Sequence, residues 1–436
     1  MERLVILGSG ESGVGAAILG KKKGFDVFVS DKGPIKAIYK AELVGQDIHF
    51  EEGQHTKEKI LNADVIVKSP GIPDKAILVK EAKSMGISVI SEIEFAFRYT
   101  RAKTIGITGS NGKTTTTNLT YHLMHTAGLK VEMGGNIGLG FARIVADKDP
   151  DWVVLELSSF QLDDIKTYRP DIGILLNITP DHLDRYDYKM ANYVRSKFRI
   201  AMNQRPDDYL IYNAEDPVIS ENIGELNRSM QLLKIVSDDY PEGKLILNEE
   251  ISFDLSKCRL KGPHNRLNAL CAVKAAYLAG AGMEGIQQGL DTFINAPHRL
   301  ESFAEIDGVE FINDSKATNV DSVYWALRAM EKPTVLILGG QDKGNDYAPI
   351  DALVKEKVMA IVCMGLDNEK IVQHFSPLVA NIVQTNSVQE AVMKAKLMAK
   401  AGEVVLLSPA CASFDLFKNY EHRGDSFKEE VLKLIL

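Results

Sequence analysis

The feature that most constrains the fold is the alternation of short β-branched runs with longer helix-like stretches along almost the whole chain. Apolar runs such as residues 4–7, 103–107 and 335–338 have the length of strands, and each leads into a glycine-rich turn. This pattern is typical of parallel sheets covered by crossover helices. It predicts an α/β protein. A solenoid or a disordered chain is not indicated, since the sequence has no repeat of fixed period and no low-complexity tract.

The length of 436 residues predicts more than one domain, because a domain usually holds roughly 100–200 residues. A new strand and glycine-rich turn begin at Lys103, and Pro297 interrupts a helical stretch before a third set of elements. We therefore predict three α/β domains, over residues 1–98, 99–296 and 297–436.

Charge and cysteine usage limit the classes of partner. The formal net charge of -8 gives no support for nonspecific binding to nucleic acid or an anionic membrane, so small molecules are the expected partners. The apolar runs are much shorter than the roughly 20 residues of a membrane span. The segment after Met1 enters a strand without an apolar leader, so we expect a cytoplasmic protein. The four cysteines lie far apart, which predicts buried thiols and neither a disulfide framework nor a zinc site.

The strongest local signal is the loop after residues 103–107. Backbone N–H groups of a glycine-rich turn at a helix N-terminus cradle phosphate oxygens, and a lysine followed by a hydroxyl supplies a counter-charge and a magnesium ligand. One departure is notable, because the general phosphate-loop pattern has Gly where this chain has Ile107 and places Gly106 one position early. The residues predicted to bind nucleotide phosphate are Gly109, Ser110, Asn111, Gly112, Lys113, Thr114 and Thr115.

Two further strand ends carry groups suited to a cation. Residues 152–156 read as an apolar strand that ends in Glu156, the first candidate metal ligand beside Thr114. Residues 172–178 run into a cluster with Asp181 and His182, where the imidazole is either a ligand of a second cation or a hydrogen-bonded structural residue. Residues 188–203 read as a helix whose basic residues include Lys197, and spacing alone does not select that lysine.

Polar clusters also follow later elements. Asn265 and Asn268 lie on one face of a predicted helix, where they serve either a nucleotide base or helix capping. In the third predicted domain, polar residues crowd residues 312–319, 339–344 and 408–414, each directly after a predicted strand. Such loops meet at one edge of a parallel sheet, which predicts a ligand crevice there.

Taken in order, the segments TGSNGKTT, ELSSFQL, NITPDHLDR, HNRLNAL, NDSKATN and SPACASFDLFKNYEHRG resemble the Mur ligases over nearly the whole chain. The resemblance implies a Rossmann-like N-terminal domain for a UDP-sugar, a central P-loop-type ATPase domain, and a Rossmann-like C-terminal domain for an incoming amino acid. The SSFQL and SPACASFD segments resemble the D-glutamate-adding members.

The glycine-rich turn at residues 8–13, with Asp31 at the end of the next strand, looks like a dinucleotide fingerprint. A lone pattern of this kind is weak evidence for NAD. The resemblance instead implies a uridine nucleotide here, held near Ser12, Asp31, Ser69 and Gly71.

The resemblance also selects residues that spacing does not. It implies that Lys197 carries a carbamate which helps His182 to hold a second magnesium ion. Asn136 and Ser159 match substrate or metal-water contacts, and Asn268 matches the adenine contact. Arg299 matches a nucleotide phosphate contact and Asp314 a ribose contact. The residues implied to bind or position D-glutamate are Lys316, Thr318, Lys343, Ser413 and Phe414.

The expected activity is ATP-dependent amide-bond formation. The resemblance implies that D-glutamate is added to UDP-N-acetylmuramoyl-L-alanine through an acyl phosphate, with ATP and two Mg²⁺, in cytoplasmic peptidoglycan precursor synthesis. A monomer is expected. Tyr420 stands where the family often has Phe. Two rivals remain, another Mur or folylpolyglutamate-type ligase and a P-loop nucleotide switch that governs a protein partner.

Overall fold

The computed structural model describes residues 1–226, 230–260 and 262–435 and confirms an α/β fold built mainly of parallel sheets. The chain divides into two compact units. The first holds Met1–Cys258 and Leu267–Phe293, and the second holds Arg259–Arg266 and Ile294–Leu436. The first predicted domain and most of the second lie in the first unit, and the boundary between these two domains stays a prediction.

The N-terminal sheet contains β1 (Arg3–Leu7), β2 (Asp26–Asp31), β3 (His49–Glu52), β4 (Val65–Lys68) and β5 (Ser88–Ile90). Its parallel strands have the order β3-β2-β1-β4-β5. The accompanying helices are α1 (Glu11–Lys22), α2 (Ala37–Gly45), α3 (Lys57–Ile60), α4 (Ile77–Ser84) and α5 (Glu92–Phe97). The strand order changes direction between β1 and β4, which are neighbours and parallel, so the turns after these two strands form a crevice at their carboxyl ends.

The second sheet is also parallel. Its strands are β6 (Lys103–Thr108), β7 (Val131–Gly135), β8 (Trp152–Glu156), β9 (Ile172–Leu175), β10 (Tyr209–Asn213) and β11 (Gln231–Ile235). Their order is β11-β10-β9-β6-β8-β7. The loop after β6 therefore lies between the loops after β8 and β9. The α-helices are α6 (Lys113–Thr126), α7 (Phe141–Asp147), α8 (Ser159–Asp163), α9 (Met190–Phe198), α10 (Pro217–Asn222), α11 (Pro263–Leu278) and α12 (Met283–Thr292).

A short antiparallel pair, β12 (Lys244–Ile246) and β13 (Ser252–Asp254), precedes α11. The second unit holds β14 (Glu301–Ile306), β15 (Val309–Asn313), β16 (Thr334–Gly339), β17 (Val358–Met364), β18 (Ile382–Thr385) and β19 (Val404–Ala410). These strands have the order β14-β15-β19-β16-β17-β18, with only β14 antiparallel to its neighbour. Its helices are α13 (Val320–Ala329), α14 (Asp351–Lys357), α15 (Glu369–Phe375), α16 (Val388–Met398) and α17 (Tyr420–Leu432).

Three predicted element bounds were wrong. The strand predicted over residues 172–178 ends at Leu175, because the next residues bond the phosphate loop instead of a neighbouring strand, as in Ser110 N to Asn177 O at 2.9 Å. The helix predicted over residues 188–203 is Met190–Phe198 followed by a 3-10 turn. The strand predicted to end at residue 407 continues to Ala410, which pairs with Gly339 across a register shift.

The strand interiors are buried on both faces, as expected for sheets covered by helices. Each unit has its own apolar clusters, and one cluster of the first unit spans the N-terminal and second sheets. The four cysteines are buried, as predicted. Within the described ranges, no helix is both long and apolar enough to cross a membrane.

Candidate active site

The loop after β6 is shaped by its neighbour after β9. Asn177 accepts a hydrogen bond from Asn111 N at 2.8 Å and donates one to Asn111 O at 3.0 Å. Ser110 Oγ donates to Thr179 O at 2.8 Å. These bonds fix the loop backbone at the start of α6, where N–H groups and the helix dipole favour an anion.

Glycine is required inside this loop at position 112. Gly112 has a φ of 84°, and a Cβ there would lie 2.6 Å from Asn268 Oδ1. The amide of Asn268 therefore lies directly against the loop, as a role beside the nucleotide requires. The unusual Gly106 has a different function, because a Cβ at that position would lie 3.0 Å from Tyr168 Oη. Ile107 is an ordinary buried strand residue paired with Glu156, so the departure from the general pattern leaves the loop intact.

Glu156, the last residue of β8, accepts hydrogen bonds from residues that follow two other strands of the sheet. Thr114 Oγ1 donates to Glu156 Oε2 at 2.8 Å, and Asn136 Nδ2 donates to Glu156 Oε1 at 2.8 Å. The carboxylate is buried, with 2% of its surface exposed. A carboxylate and a hydroxyl at a phosphate loop are the hard oxygen donors that Mg²⁺ prefers.

Two lysines converge on the same backbone oxygen. Lys113 Nζ donates to Gly109 O and Ser110 O at 2.8 Å each, and Lys197 Nζ donates to Gly109 O at 2.8 Å and Thr108 Oγ1 at 3.2 Å. Burial and the neighbouring Lys113 ammonium lower the pKa of Lys197 well below its ordinary value. Lys197 is therefore disposed to lose its proton and become a nucleophilic amine.

His182 lies on the turn after β9, at a left-handed φ of 50°. Its Nε2 is 3.5 Å from Asp181 Oδ2, and its ring centroid is 5.2 Å from that of Phe160. Ser159 begins α8 and is buried, and its carbonyl accepts a hydrogen bond from Ser196 Oγ at 3.0 Å. Because Ser196 precedes Lys197 on α9, this bond ties the Ser159 segment to the lysine segment.

A cavity of ≈ 390 Å³ lies in the N-terminal crevice, lined in part by the loops after β1 and β4. Asp31 stands at its wall and accepts hydrogen bonds from Ser9 N at 2.7 Å and Ser9 Oγ at 2.6 Å. Despite its burial, these bonds and that from Gly33 N lower the pKa of Asp31. The cavity brings together the four residues that the family resemblance implied for the uridine nucleotide, Ser12, Asp31, Ser69 and Gly71, with Asn136, which it implied for a substrate or metal-water contact.

The second unit has its own strand-end cluster. Asp314 is buried after β15 and accepts hydrogen bonds from Ser408 Oγ at 2.8 Å and Leu300 N at 3.2 Å. Burial raises the pKa of Asp314 to about 7. Arg299 lies between His298 and Leu300, which have left-handed φ values of 66° and 44°. The remaining predicted residues lie on the loops after β15, β16 and β19, where Ser413 is buried and Phe414 is 67% exposed: Lys316, Thr318, Lys343, Ser413 and Phe414.

Arg423 on α17 joins these loops, although the sequence interpretation did not select it. It donates to Ser315 Oγ at 3.0 Å, Ser315 O at 2.8 Å and Cys411 O at 3.1 Å. The Lys316 ammonium lies 3.7 Å from the ring centroid of Tyr420, one helical turn earlier on α17. The ring rather than the added hydroxyl makes this contact. Arg423 was missed because an arginine in a mostly polar helix reads as part of a solvated face.

The residues fit a magnesium nucleotide. Gly112 leaves a cradle that a Cβ would fill, Lys113 lies over the loop carbonyls, and Thr114 and Glu156 present oxygen donors. Among residues 1–226, 230–260 and 262–435, no three His, Cys, Asp or Glu side chains form a ready-made cation site. A metal here would therefore rely on one carboxylate, Glu156, on the hydroxyl of Thr114 and on nucleotide oxygens, which is usual for Mg²⁺.

Family models match most of the chain. The model described as Mur ligase middle domain matches residues 107–276, and the model described as Mur ligase, glutamate ligase domain matches residues 298–411. The MurD N-terminal domain model matches residues 3–77. The chain is 51% identical over 444 residues to the UDP-N-acetylmuramoylalanine--D-glutamate ligase of Christiangramia forsetii, covering 99% of this chain and 100% of that relative. The corresponding ligase of Bacteroides fragilis is 50% identical and both chains are covered completely.

Solved structures share the fold at low sequence identity. MurF ligase from Thermotoga maritima in complex with ADP aligns with a TM-score of 0.63 at 15% identity, covering 99% of this chain and 98% of that one. A pseudomurein peptide ligase type C from Methanothermus fervidus aligns with a TM-score of 0.62 at 19% identity, covering 100% of each chain.

Proposed function

The chain belongs to the Mur ligase family, and on that premise we propose that it is the ATP-dependent ligase that joins D-glutamate to UDP-N-acetylmuramoyl-L-alanine in peptidoglycan precursor synthesis. One geometric observation supports this proposal most directly. A single carboxylate, Glu156, is hydrogen-bonded to Thr114 of the phosphate loop and to Asn136 of the cavity wall. The nucleotide and the second substrate therefore meet at one charged group.

The reaction must first activate a carboxylate, which is a poor electrophile. A carboxylate oxygen of UDP-N-acetylmuramoyl-L-alanine attacks the γ-phosphorus of ATP in line, and the bond to the bridging oxygen of ADP breaks. Lys113 moves from its loop carbonyls to the phosphoryl oxygens and offsets their charge. The neutral amine of D-glutamate then adds to the acyl phosphate carbonyl, loses a proton, and inorganic phosphate leaves to give the amide.

Thr114, Glu156, His182 and the carbamylated Lys197 would hold two magnesium ions, which would offset the charge of the phosphoryl oxygens. The Lys197 ammonium first loses one proton; the neutral amine then attacks the carbon of CO₂ and releases a second proton, so that a cation becomes a carbamate anion. The lowered pKa of Lys197 supports this step, because only the unprotonated amine reacts. Ser159 holds the start of α8 beside this group.

The other roles follow the resemblance residue by residue. Asn268 contacts adenine, Arg299 a nucleotide phosphate and Asp314 the ribose. Ser12, Asp31, Ser69 and Gly71 hold the uridine nucleotide, and the three loops of the second unit hold D-glutamate. The enzyme works as a cytoplasmic monomer with three functional domains, over residues 1–98, 99–296 and 297–436.

The test is phosphate release by the purified protein with ATP, Mg²⁺, a panel of UDP-muramoyl precursors and a panel of amino acids. We expect turnover that depends on UDP-N-acetylmuramoyl-L-alanine and D-glutamate together. Lys113→Ala should abolish it, while Lys355→Ala, at an exposed position on α14, should not. Preference for another acceptor would reassign the member of the family. Hydrolysis that needs no small acceptor would favour a nucleotide switch.

A further inference from the structure

Arg185 has no part in the proposed chemistry, yet it bonds two segments that the chemistry uses. It ends the 3-10 turn Leu183–Arg185 that follows His182. Its guanidinium donates to Pro70 O at 3.2 Å and to Gly71 O at 3.3 Å. Both carbonyls belong to the loop after β4, which forms one wall of the ≈ 390 Å³ cavity. Arg185 itself is outside the cavity lining and is bonded to that wall through these two carbonyls.

An aromatic ring fixes the other face of this guanidinium. Arg185 Cζ lies 4.3 Å from the ring centroid of Phe160. Phe160 stacks on Tyr186 with an interplanar angle of 16° and also contacts His182. A planar guanidinium between a ring and two carbonyls loses little further entropy when it donates, because the ring has already oriented it. Among the described residues, no carboxylate forms an ion pair with Arg185, so its donors are directed to the loop backbone.

The same loop has a second attachment, which makes the role of Arg185 specific. Buried Lys68 donates to Ile72 O at 2.8 Å and pairs with Asp164 at 2.8 Å. Asp164 follows α8, so this anchor also reaches the segment that carries Ser159 and Phe160. Lys68 holds the loop at Ile72, and Arg185 holds Pro70 and Gly71, two of the three loop residues that line the cavity.

We propose that Arg185 is a positioning residue for the UDP-substrate, holding the Pro70 and Gly71 carbonyls so that the loop after β4 is preformed to close on the uridine nucleotide. This inference rests on the proposed function, because the occupant of the cavity is the UDP-sugar of that proposal. Without Arg185, the loop would have to be ordered by the ligand at the expense of affinity. The ATP side would be unaffected, because the phosphate loop is held by Asn177 and Thr179 instead.

The experiment measures binding of UDP and of UDP-N-acetylmuramoyl-L-alanine by calorimetry to the full chain and to three variants. Arg185→Met removes the charge and the donors, and Arg185→Lys keeps the charge without the planar fork. Arg195→Met is the matched control, because Arg195 is exposed on α9. We expect Kd for both ligands to rise about tenfold in Arg185→Met and nearly as much in Arg185→Lys, from loss of charge-assisted hydrogen bonds. Arg195→Met should match the wild type.

Steady-state kinetics separate positioning from a general structural role. In Arg185→Met, KM for UDP-N-acetylmuramoyl-L-alanine should rise with Kd, while KM for ATP and kcat stay within about twofold. An equal rise in both KM values would overturn the proposal, and so would an Arg185→Lys variant that binds like the wild type. If Arg185→Met fails to fold, Phe160→Leu removes the ring and keeps the donors. It should raise Kd for UDP about threefold, and unchanged binding would contradict the inference.

The outcomes distinguish the inference from the proposed function. A wild-type protein that binds neither UDP nor UDP-N-acetylmuramoyl-L-alanine would refute the function itself. If the wild type and Arg185→Met bind both ligands equally well, the function stands and the role of Arg185 is refuted. Hydrogen exchange adds a direct readout, because the amides of Ser69, Gly71 and Ile72 should exchange faster in Arg185→Met without ligand and recover their protection when UDP saturates the protein.

Discussion

Two buried cations, one in each unit, behave differently because their side chains differ. Lys197 has 2% of its surface exposed and Arg423 has 1%. Burial lowers the pKa of Lys197 well below its ordinary value, and it lowers the pKa of Arg423 only to about 10. Burial therefore favours the neutral amine of the lysine, whereas the arginine stays charged at neutral pH.

The surroundings of the two groups match these states. Lys197 shares the Gly109 carbonyl with a second lysine, which disfavours its charged form. Arg423 directs its donors to the backbone and hydroxyl oxygens of loops far apart in the sequence. A buried lysine can thus supply a reactive amine, while a buried arginine acts as a fixed connector.

The largest expected effect tests whether Lys197 supplies a reactive amine. Lys197→Ala should lower kcat about 100-fold or more, because an anion next to the phosphoryl group is lost. Added formate or acetate should restore part of the activity if a carbamate is the functional group. Lys197→Arg, which remains a cation, should be inactive and resist such rescue. Full activity of either variant in phosphate-release assays would contradict the carbamate.

The variant Arg423→Lys tests whether Arg423 connects the loops of the second unit through its hydrogen bonds. One ammonium cannot replace the three bonds to Ser315 and Cys411, so we expect KM for D-glutamate to rise about tenfold or more. KM for UDP-N-acetylmuramoyl-L-alanine should change little. Arg328→Lys, at an exposed position of the same unit, serves as the control. If Arg423→Lys has wild-type kinetics, a positive charge alone is sufficient and the hydrogen bonds of Arg423 do not hold the D-glutamate loops.

A smaller effect concerns the acid near Arg423. Burial raises the pKa of Asp314 to about 7 from 3.8, so the folded chain holds a proton that the unfolded chain releases between these pH values. Stability therefore falls as the pH rises through that window and levels off above it. Asp314→Asn cannot ionise and does not lose this stability. The difference in melting temperature, variant minus wild type, should therefore increase by about 2–4 °C between pH 4 and pH 8. A constant difference across this range would show that Asp314 is ionised throughout.

The smallest effect separates the ring of Tyr193 from its hydroxyl. The ring centroid lies 5.3 Å from Lys197 Nζ, and the hydroxyl is 3.1 Å from Ser110 Oγ. Tyr193→Phe keeps the ring, and Ser110 retains its bonds to Thr179, so we expect at most about a twofold change in kcat. A loss comparable to that in Lys197→Ala would give the hydroxyl a role in the reaction.

Much of the fold and one side of the site were predictable, because the relevant information is local. Apolar runs and glycine-rich turns marked β1, β6 and β8 almost to the residue. Glu156 was predicted beside Thr114 because parallel strands deliver their last residues to one edge, and the structure confirms a bond between them. The family resemblance added the substrate residues that the cavity brings together.

Contacts distant in sequence were not predictable. Arg423 lies 108 positions from Ser315, and no local pattern distinguishes it from a surface arginine. Arg185 contacts a loop 114 positions earlier. Asn177 was assigned to a strand, because an apolar run does not show that its last backbone groups will bond a neighbouring loop. Such residues depend on the tertiary packing of elements, which composition and periodicity do not encode.

The distribution of the four buried cysteines gives each compact unit an internal reporter. Cys258 and Cys271 belong to the first unit, and Cys363 and Cys411 belong to the second. A thiol reagent added to the native protein can modify them only during transient opening. The rate of modification, resolved by peptide mass, therefore measures how often each unit opens, and D-glutamate, whose proposed loops lie in the second unit, should slow only the thiols of that unit.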